Sequence, residues 1–399
     1  MISKKTFVLA LLLLVPACAS AQEKKLTVLF TNDSHAGYQP VEKDGKSNGG
    51  ILAIDGAVRS VRAEGGAVLL LDAGDVLSGH PVSNMDFEGI EGGALFQMMN
   101  LVGYDAVDVG NHDLDNGQED LAKLAKLARF ALLSANLVRE DGSPVFPEIV
   151  PSRIFERGGL KIGVFGLILE KVARTTAARN TAGLRVLPQV ETARRMVAEL
   201  DPQTDLIVAL CHEDEEDVRA LVKAVPGIDV VIAGHQHTTL ERPLEIGSTL
   251  VCRAGANFRQ LGRLDLVARD DRVVSHEHRI LRPAHEPEKA GPELREFVGS
   301  IKETLDVVLD VPIGTLEKSW SRNYYGESNL GDWVAGALAR APAQAPEDCS
   351  GRDPSPAPPA RTSASSTPGA CARTSPPARS RSATSSRSSP SRTTSARST

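Results

Sequence analysis

The sequence predicts a mixed α/β sandwich followed by a helix and a low-complexity tail, and three observations predict it. Apolar, β-favouring runs alternate with segments of helical periodicity over residues 26–233. Over residues 249–280 the pattern becomes strand after strand, which points to antiparallel pairing. Residues 341–399 contain no Leu, Ile, Val, Met, Phe, Tyr or Trp. Such a segment cannot bury enough apolar surface to offset its conformational entropy and is expected to be disordered.

In chain order, LTVLF (26–30) reads as a strand ending in the polar TNDSH. Helical spacing of Ile51, Ile54, Val58 and Val61 follows, then the buried-strand run AVLLLD (67–72) ending at AGD. EGGALFQMMNLVG (91–103) reads as a helix and YDAVDV (104–109) as a strand ending at GNHD. Leu121, Leu124, Ala125 and Ala128 mark the next helix. LKIGVFGLI (160–168), DLIVAL (205–210) and IDVVIA (228–233) read as strands, with a helix at 190–200 between the first two. TLVCRA, LGRLDLVA and RVVSHEHRI form the strand-rich section, and residues 291–310 form a long amphipathic connector helix. VPIGTLEKSW (311–320) and ESNLGDWVAGALAR (327–340) predict a strand and a helix opening a second domain.

Of 399 residues with net charge −6, the tail holds eight Arg against three acids, so the body carries about −11. An acidic body gives no footing for nucleic acid as a partner. The first 21 residues have a basic start, a short apolar run and Ala19-Ser20-Ala21, the architecture of a cleaved secretory signal. Cys18 also faintly resembles a lipoprotein attachment site, which Pro16 fits poorly. The expectation is a periplasmic or secreted protein without a transmembrane segment. In the body only Cys211 and Cys252 remain, read as small buried strand residues rather than a disulfide.

Five strand ends carry metal-competent residues: Asp33 and His35; Asp75; Asn111 and His112; His212; His235 and His237. Ligands of α/β folds bind beyond the carboxyl ends of strands, so these ends can converge. Five of the nine histidines lie there; His80, His276, His278 and His285 do not and are expected on the surface. Taken singly, each cluster also reads as ordinary structure: an Asx turn at Asp33, a loop closed by Asp75, a helix cap at Asp115 or Asn116, a solvent loop at GHQH. Five coincidences at successive strand ends favour a shared site. Oxygen and imidazole donors without thiolate suit Zn, Mn, Fe or Co. A carboxylate can bridge two ions, which lower the pKa of bound water and screen a phosphoryl group. No GxSxG elbow or P-loop is present.

The set NDSH, GD, GNHD, the His of CHED and GHQH resembles the calcineurin-like metallophosphoesterases. Its order, the TVLFTND opening, DLDNG after GNH and the late ESNLGDWVA resemble the secreted 5′-nucleotidase and UDP-sugar hydrolase branch. The resemblance implies a four-layer α-β-β-α sandwich in residues 22–285. Residues 286–340 become the connector and the opening of a truncated C-terminal domain, which in the family recognises the nucleotide. It also implies two divalent ions. Asp33, His35 and His237 hold one; Asn111, His212 and His235 hold the other; Asp75 bridges. His112 is then a catalytic residue that binds no metal, and Asp115 orients it. Asp113 has no assigned role beyond facing solvent or satisfying backbone. The implied reaction is hydrolysis of nucleotide phosphate esters by a metal-bound hydroxide. Sulfur-ester hydrolysis on the same scaffold and a catalytically weak binding remnant are the alternatives. The abrupt change at Ala341 reads as coding sequence in a shifted frame.

Overall fold

The structure is a computed structural model that describes residues 22–323 and 326–340. The signal-like segment and the tail lie outside the described residues. Residues up to Ile313 form one compact unit, and those from Gly314 belong to another.

The first unit is built on two sheets. Thirteen strands form them: β1 (Lys24–Thr31), β2 (Val68–Asp72), β3 (Ala106–Asp108), β4 (Ala131–Leu133), β5 (Ile149–Val150), β6 (Ser152–Arg157), β7 (Leu160–Ile168), β8 (Leu206–His212), β9 (Val230–Ala233), β10 (Leu244–Ile246), β11 (Thr249–Cys252), β12 (Leu261–Ala268) and β13 (Val273–Leu281). The first sheet has the order β5-β4-β3-β2-β1-β12-β13 and the second β6-β7-β8-β9-β11-β10. Pairing is parallel from β5 to β1 and from β7 to β11. It is antiparallel for the partners of β12, β6 and β10. The mixed sheets are those expected.

The period of two along each strand sorts side chains into layers. Val28, Phe30, Leu69 and Leu71 of the first sheet meet Ile162, Val164, Val208 and Ile232 of the second in one dry core. Leu29, Leu70 and Val107 point the other way, into a core covered by α1 (Ile51–Ala63), α2 (Gly93–Val102) and α3 (Gln118–Leu127). Phe165, Leu167, Ile207 and Val231 face α4 (Gln189–Leu200) and α5 (Glu215–Ala224). Three apolar interfaces therefore separate four layers. Each fully buried Leu, Val, Ile or Phe contributes roughly 1.5–3 kcal/mol of transfer free energy. Cys211 and Cys252 are buried and free. Cys252 lies in the core between the sheets and Cys211 in the outer one, so the second sheet stands between the two thiols.

The helix expected at 291–310 is present as α6 (Pro292–Leu309), which sends Leu294, Val298 and Ile301 into the core beside α1 and α2. In the second unit, α7 (Asn329–Arg340) forms as expected, and Trp320 stacks on Trp333 with centroids 4.8 Å apart. The strand expected at 311–320 does not form. Its β-favouring residues find no strand partner among the described residues, and an isolated strand leaves its backbone groups unpaired.

At the amino ends of the second sheet, burial and the nearby Asp201 and Asp271 lift the Asp229 carboxyl to about 6. An unfolded aspartate titrates near ~3.9, so the folded state keeps its proton longer and the charged form costs stability above about pH 6. Asp229→Asn retains an oxygen for the Ile207 N–H, 2.8 Å away. It should stabilise the protein at pH 7 by on the order of 1–3 kcal/mol, with the gain vanishing near pH 4. Urea unfolding at the two pH values checks this.

Candidate metal centre

All five polar strand ends meet at one edge of the sandwich. β1, β2 and β3 of the first sheet and β8 and β9 of the second run parallel within their sheets, so their carboxyl ends lie together. The backbone there is unusual. Asp33, His35, Asp75, His235 and His237 all have positive φ, between 42° and 72°. Non-glycine residues rarely adopt this conformation, and its clustering is a mark of a functional constraint. Glycines let the loops touch. A Cβ on Gly110 would lie 2.2 Å from Asp75 Oδ1, and one on Gly234 would lie 2.6 Å from both Ala73 O and His212 Nδ1.

Two groups of ligand-competent atoms result. Asp33, His35, Asp75 and His237 form one, Asp75, His212 and His235 the other, each with its atoms within 4.8 Å. Asp75 belongs to both. Its Oδ2 lies 3.7 Å from His35 Nε2 and 3.1 Å from His212 Nε2. His35 and His237 approach with Nε2 atoms 2.8 Å apart, and His237 Nε2 lies 3.5 Å from Asp33 Oδ1. Carbonyls orient two of the rings: Leu77 O stands 3.2 Å from His35 Nδ1 and Ala73 O stands 2.8 Å from His212 Nδ1. Each then turns Nε2 toward the carboxylates, the arrangement that metal-ligating histidines adopt.

The donors fit metal ions on an independent ground. Asn111 Oδ1 is buried without a hydrogen-bond partner, and His212 Nε2, equally buried, faces only the Asp75 carboxylate, 3.1 Å away. Buried polar atoms are nearly always satisfied, so an orphaned amide oxygen beside these donors fits a site that takes a cation. Burial lowers the His212 imidazole, but the Asp75 charge outweighs it and lifts the group to about 10. Burial alone raises the Asp75 carboxyl; His212 and His35 pull it below the usual range. A cation at His212 Nε2 would take the place of that proton.

His112 stands beside the centre, its ring 5.2 Å from that of His35. Its backbone N–H donates to Asp75 Oδ1 at 2.8 Å, and its Nδ1 lies 2.6 Å from Asp115 Oδ2. Burial lowers its pKa, but Asp115 and Asp75 outweigh this and raise it. All nine expected residues thus gather at this edge. The remaining histidines stay outside both ligand groups. His276 is exposed as expected, while the other three are half-buried, His80 edge-on to Tyr38 and His278 over Phe30. The alternative of a side-chain cap from Asp115 or Asn116 does not hold, although the helix does start just after them. Gly117 occupies the N-cap of α3, no side chain caps it, and Asn116 bonds instead to Ser83 O at 2.6 Å.

The supports were only partly foreseen: of the two places open to Asp113, satisfying backbone is the one found. Asp113 is fully buried and takes four backbone N–H groups, from Asp75, Gly110, Val76 and Leu77, at 2.8–3.1 Å. Asp108 Oδ2 accepts the Leu167 N–H at 3.2 Å and ties the first sheet to the second. Asn32 accepts from Ala254 N–H and donates to Gly255 O, fastening the Asp33 loop. The available signal was an acid inside a glycine-rich turn, where N–H groups outnumber acceptors.

Residues 26–239 match the family described as calcineurin-like phosphoesterase. The chain belongs to this family. Protein UshA of Escherichia coli (strain K12) is 35% identical over 269 residues, covering 61% of this chain and 44% of UshA. A 5′-nucleotidase of Vibrio cholerae is 32% identical over 267 residues, covering 59% of this chain and 46% of that protein. The chain spans less than half the length of these curated relatives. The crystal structure of a 5′-nucleotidase precursor from Thermus thermophilus shares the fold, with TM-score 0.69 and 24% identity over 79% of this chain and 68% of that one.

Asp113→Ala would leave four buried N–H groups without an acceptor, each costing about 1–3 kcal/mol. A loss of at least ~3 kcal/mol in urea unfolding is expected. Asp113→Asn, which keeps one acceptor oxygen, should fall between wild type and Ala.

Proposed function

We propose that this chain is a two-metal phosphoesterase acting on nucleotide phosphate esters, exported to the periplasm or secreted. The observation that carries the reading is one buried carboxylate, Asp75, shared by two sets of imidazole and oxygen donors with a non-ligand histidine beside them. Asp33, His35 and His237 would hold one divalent ion and Asn111, His212 and His235 the other, with Asp75 between. When bound, such ions activate water and screen the negative charge of the phosphoryl oxygens.

The chain's own groups account for the rest. Asp115 holds the Nδ1 proton of His112, which leaves Nε2 for the ester. The raised pKa of His112 keeps a proton available for the departing oxygen, and its charge offsets that developing on the phosphoryl group. Nucleotides are proposed as substrates because the curated relatives carry nucleotidase names. Residues 22–285 are proposed as the catalytic domain and 286–340 as the connector and the start of a second. Among the described residues no helix is long and apolar enough to cross a membrane.

Metal-loaded protein should release phosphate from AMP and from p-nitrophenyl phosphate, and a chelator should stop both. His112→Ala should lower kcat by about 10²–10⁴ with metal content unchanged. Asn111→Ala should lower metal content itself, read by atomic emission. A folded, fully metallated sample that cleaves no phosphoester overturns the reading.

A further inference from the structure

The loop that carries Asp75 carries a second polar group, Ser78, which belongs to neither ligand group. We propose that Ser78 is a positioning residue: its hydroxyl locks the Asp115 carboxylate, so that His112 presents one fixed nitrogen to the ester. The inference rests on the phosphoesterase reading above.

The backbone of Asp115 is already fixed. Asn180 Nδ2 donates to Asp115 O at 2.7 Å, and Asp115 N–H donates to His112 O at 3.1 Å. What remains free is rotation of the carboxylate, and this side chain is 31% exposed, so water competes for its oxygens. Ser78 Oγ donates to Asp115 Oδ2 at 2.5 Å, the same oxygen that lies 2.6 Å from His112 Nδ1. Two donors on one oxygen resist turning, because a rotation breaks both bonds together.

Ser78 holds its place against its own backbone preference, with φ 67°. Glycine meets that conformation at no steric cost, so a side chain here answers a need other than the turn. On one side Leu77 N–H is held by Asp113 Oδ1 at 3.1 Å. On the other, Gly79 packs so closely on His35 O that a Cβ would come within 2.7 Å. The hydroxyl is therefore aimed by both neighbours. Asp75 and Ser78 sit three residues apart on one loop, which makes the shared carboxylate and the histidine's orienter parts of a single rigid piece.

Ser78→Gly in the full chain separates the turn from the hydroxyl, since glycine relaxes the backbone while removing the donor. Expected are unchanged metal content, unfolding stability equal to or above wild type, and a kcat on AMP lower by about tenfold. KM should stay within about twofold, as for a group acting in the transition state. Turnover of p-nitrophenyl phosphate, whose leaving oxygen needs no proton, should fall much less. In proton NMR the downfield His112 Nδ1–H signal, assigned by its loss in His112→Ala, should shift or broaden in Ser78→Gly. Equal losses on both esters, or no loss on either, overturn the proposal. If wild type cleaves no ester, the phosphoesterase reading fails by itself and the NMR signal still decides: a shift supports the Ser78 lock, an unmoved signal refutes it.

Discussion

Four backbone N–H groups converge on the buried carboxylate of Asp113, three from the loop after β2 and one from Gly110 after β3. The first of these loops turns through positive-φ residues and neither donor set pairs with a strand, so the donors need an acceptor inside the protein. Asp113 supplies it for both loops at once. The position of Asp75, and through its Oδ1 the backbone of His112, follow from that arrangement. Remove the carboxylate and neither Asp75 nor His112 has a fixed place.

The sandwich supplies the second constraint. Parallel strands in both sheets put every polar strand end on the same edge, and Asp108 links the sheets there through the Leu167 N–H. Close contact between loops is possible because Gly74, Gly110 and Gly234 lack a side chain where a neighbouring main chain or ring passes. The apolar layers thus determine where the site lies, and hydrogen bonds determine its shape. Positive φ at five of the ligand-competent residues indicates that this edge is held in place by its surroundings rather than by local preference.

Much of this was legible in the residues. Continuous runs such as VLLLD and LIVAL read as buried strands because each faces an apolar layer on both sides. Eight of the nine candidate residues stood out because they lie at the ends of such runs; Asp115 entered only through the family resemblance. Other features were not legible. Ala131–Leu133 and Ile149–Val150 are too short to carry a period, and they owe their strand state to neighbours already in the sheet. Residues 311–320 have strand-like composition without a sheet to join, so local preference misled. Asp113 and Ser78 could not be separated from ordinary turn residues, because what sets them apart is the three-dimensional company of unpaired donors.

The two cysteines carry a different consequence. They lie on strands of the same sheet, with β9 between them, yet belong to different apolar layers, Cys252 between the sheets and Cys211 beneath the outer helices. An oxidant cannot join them without breaking the sheet, so the packing of these two strands depends on no disulfide between them. Each thiol is also sealed until its own layer opens. The rate at which a thiol reagent labels one or the other therefore reports which of these two seams parts first, while the third, between the first sheet and its helices, carries no cysteine.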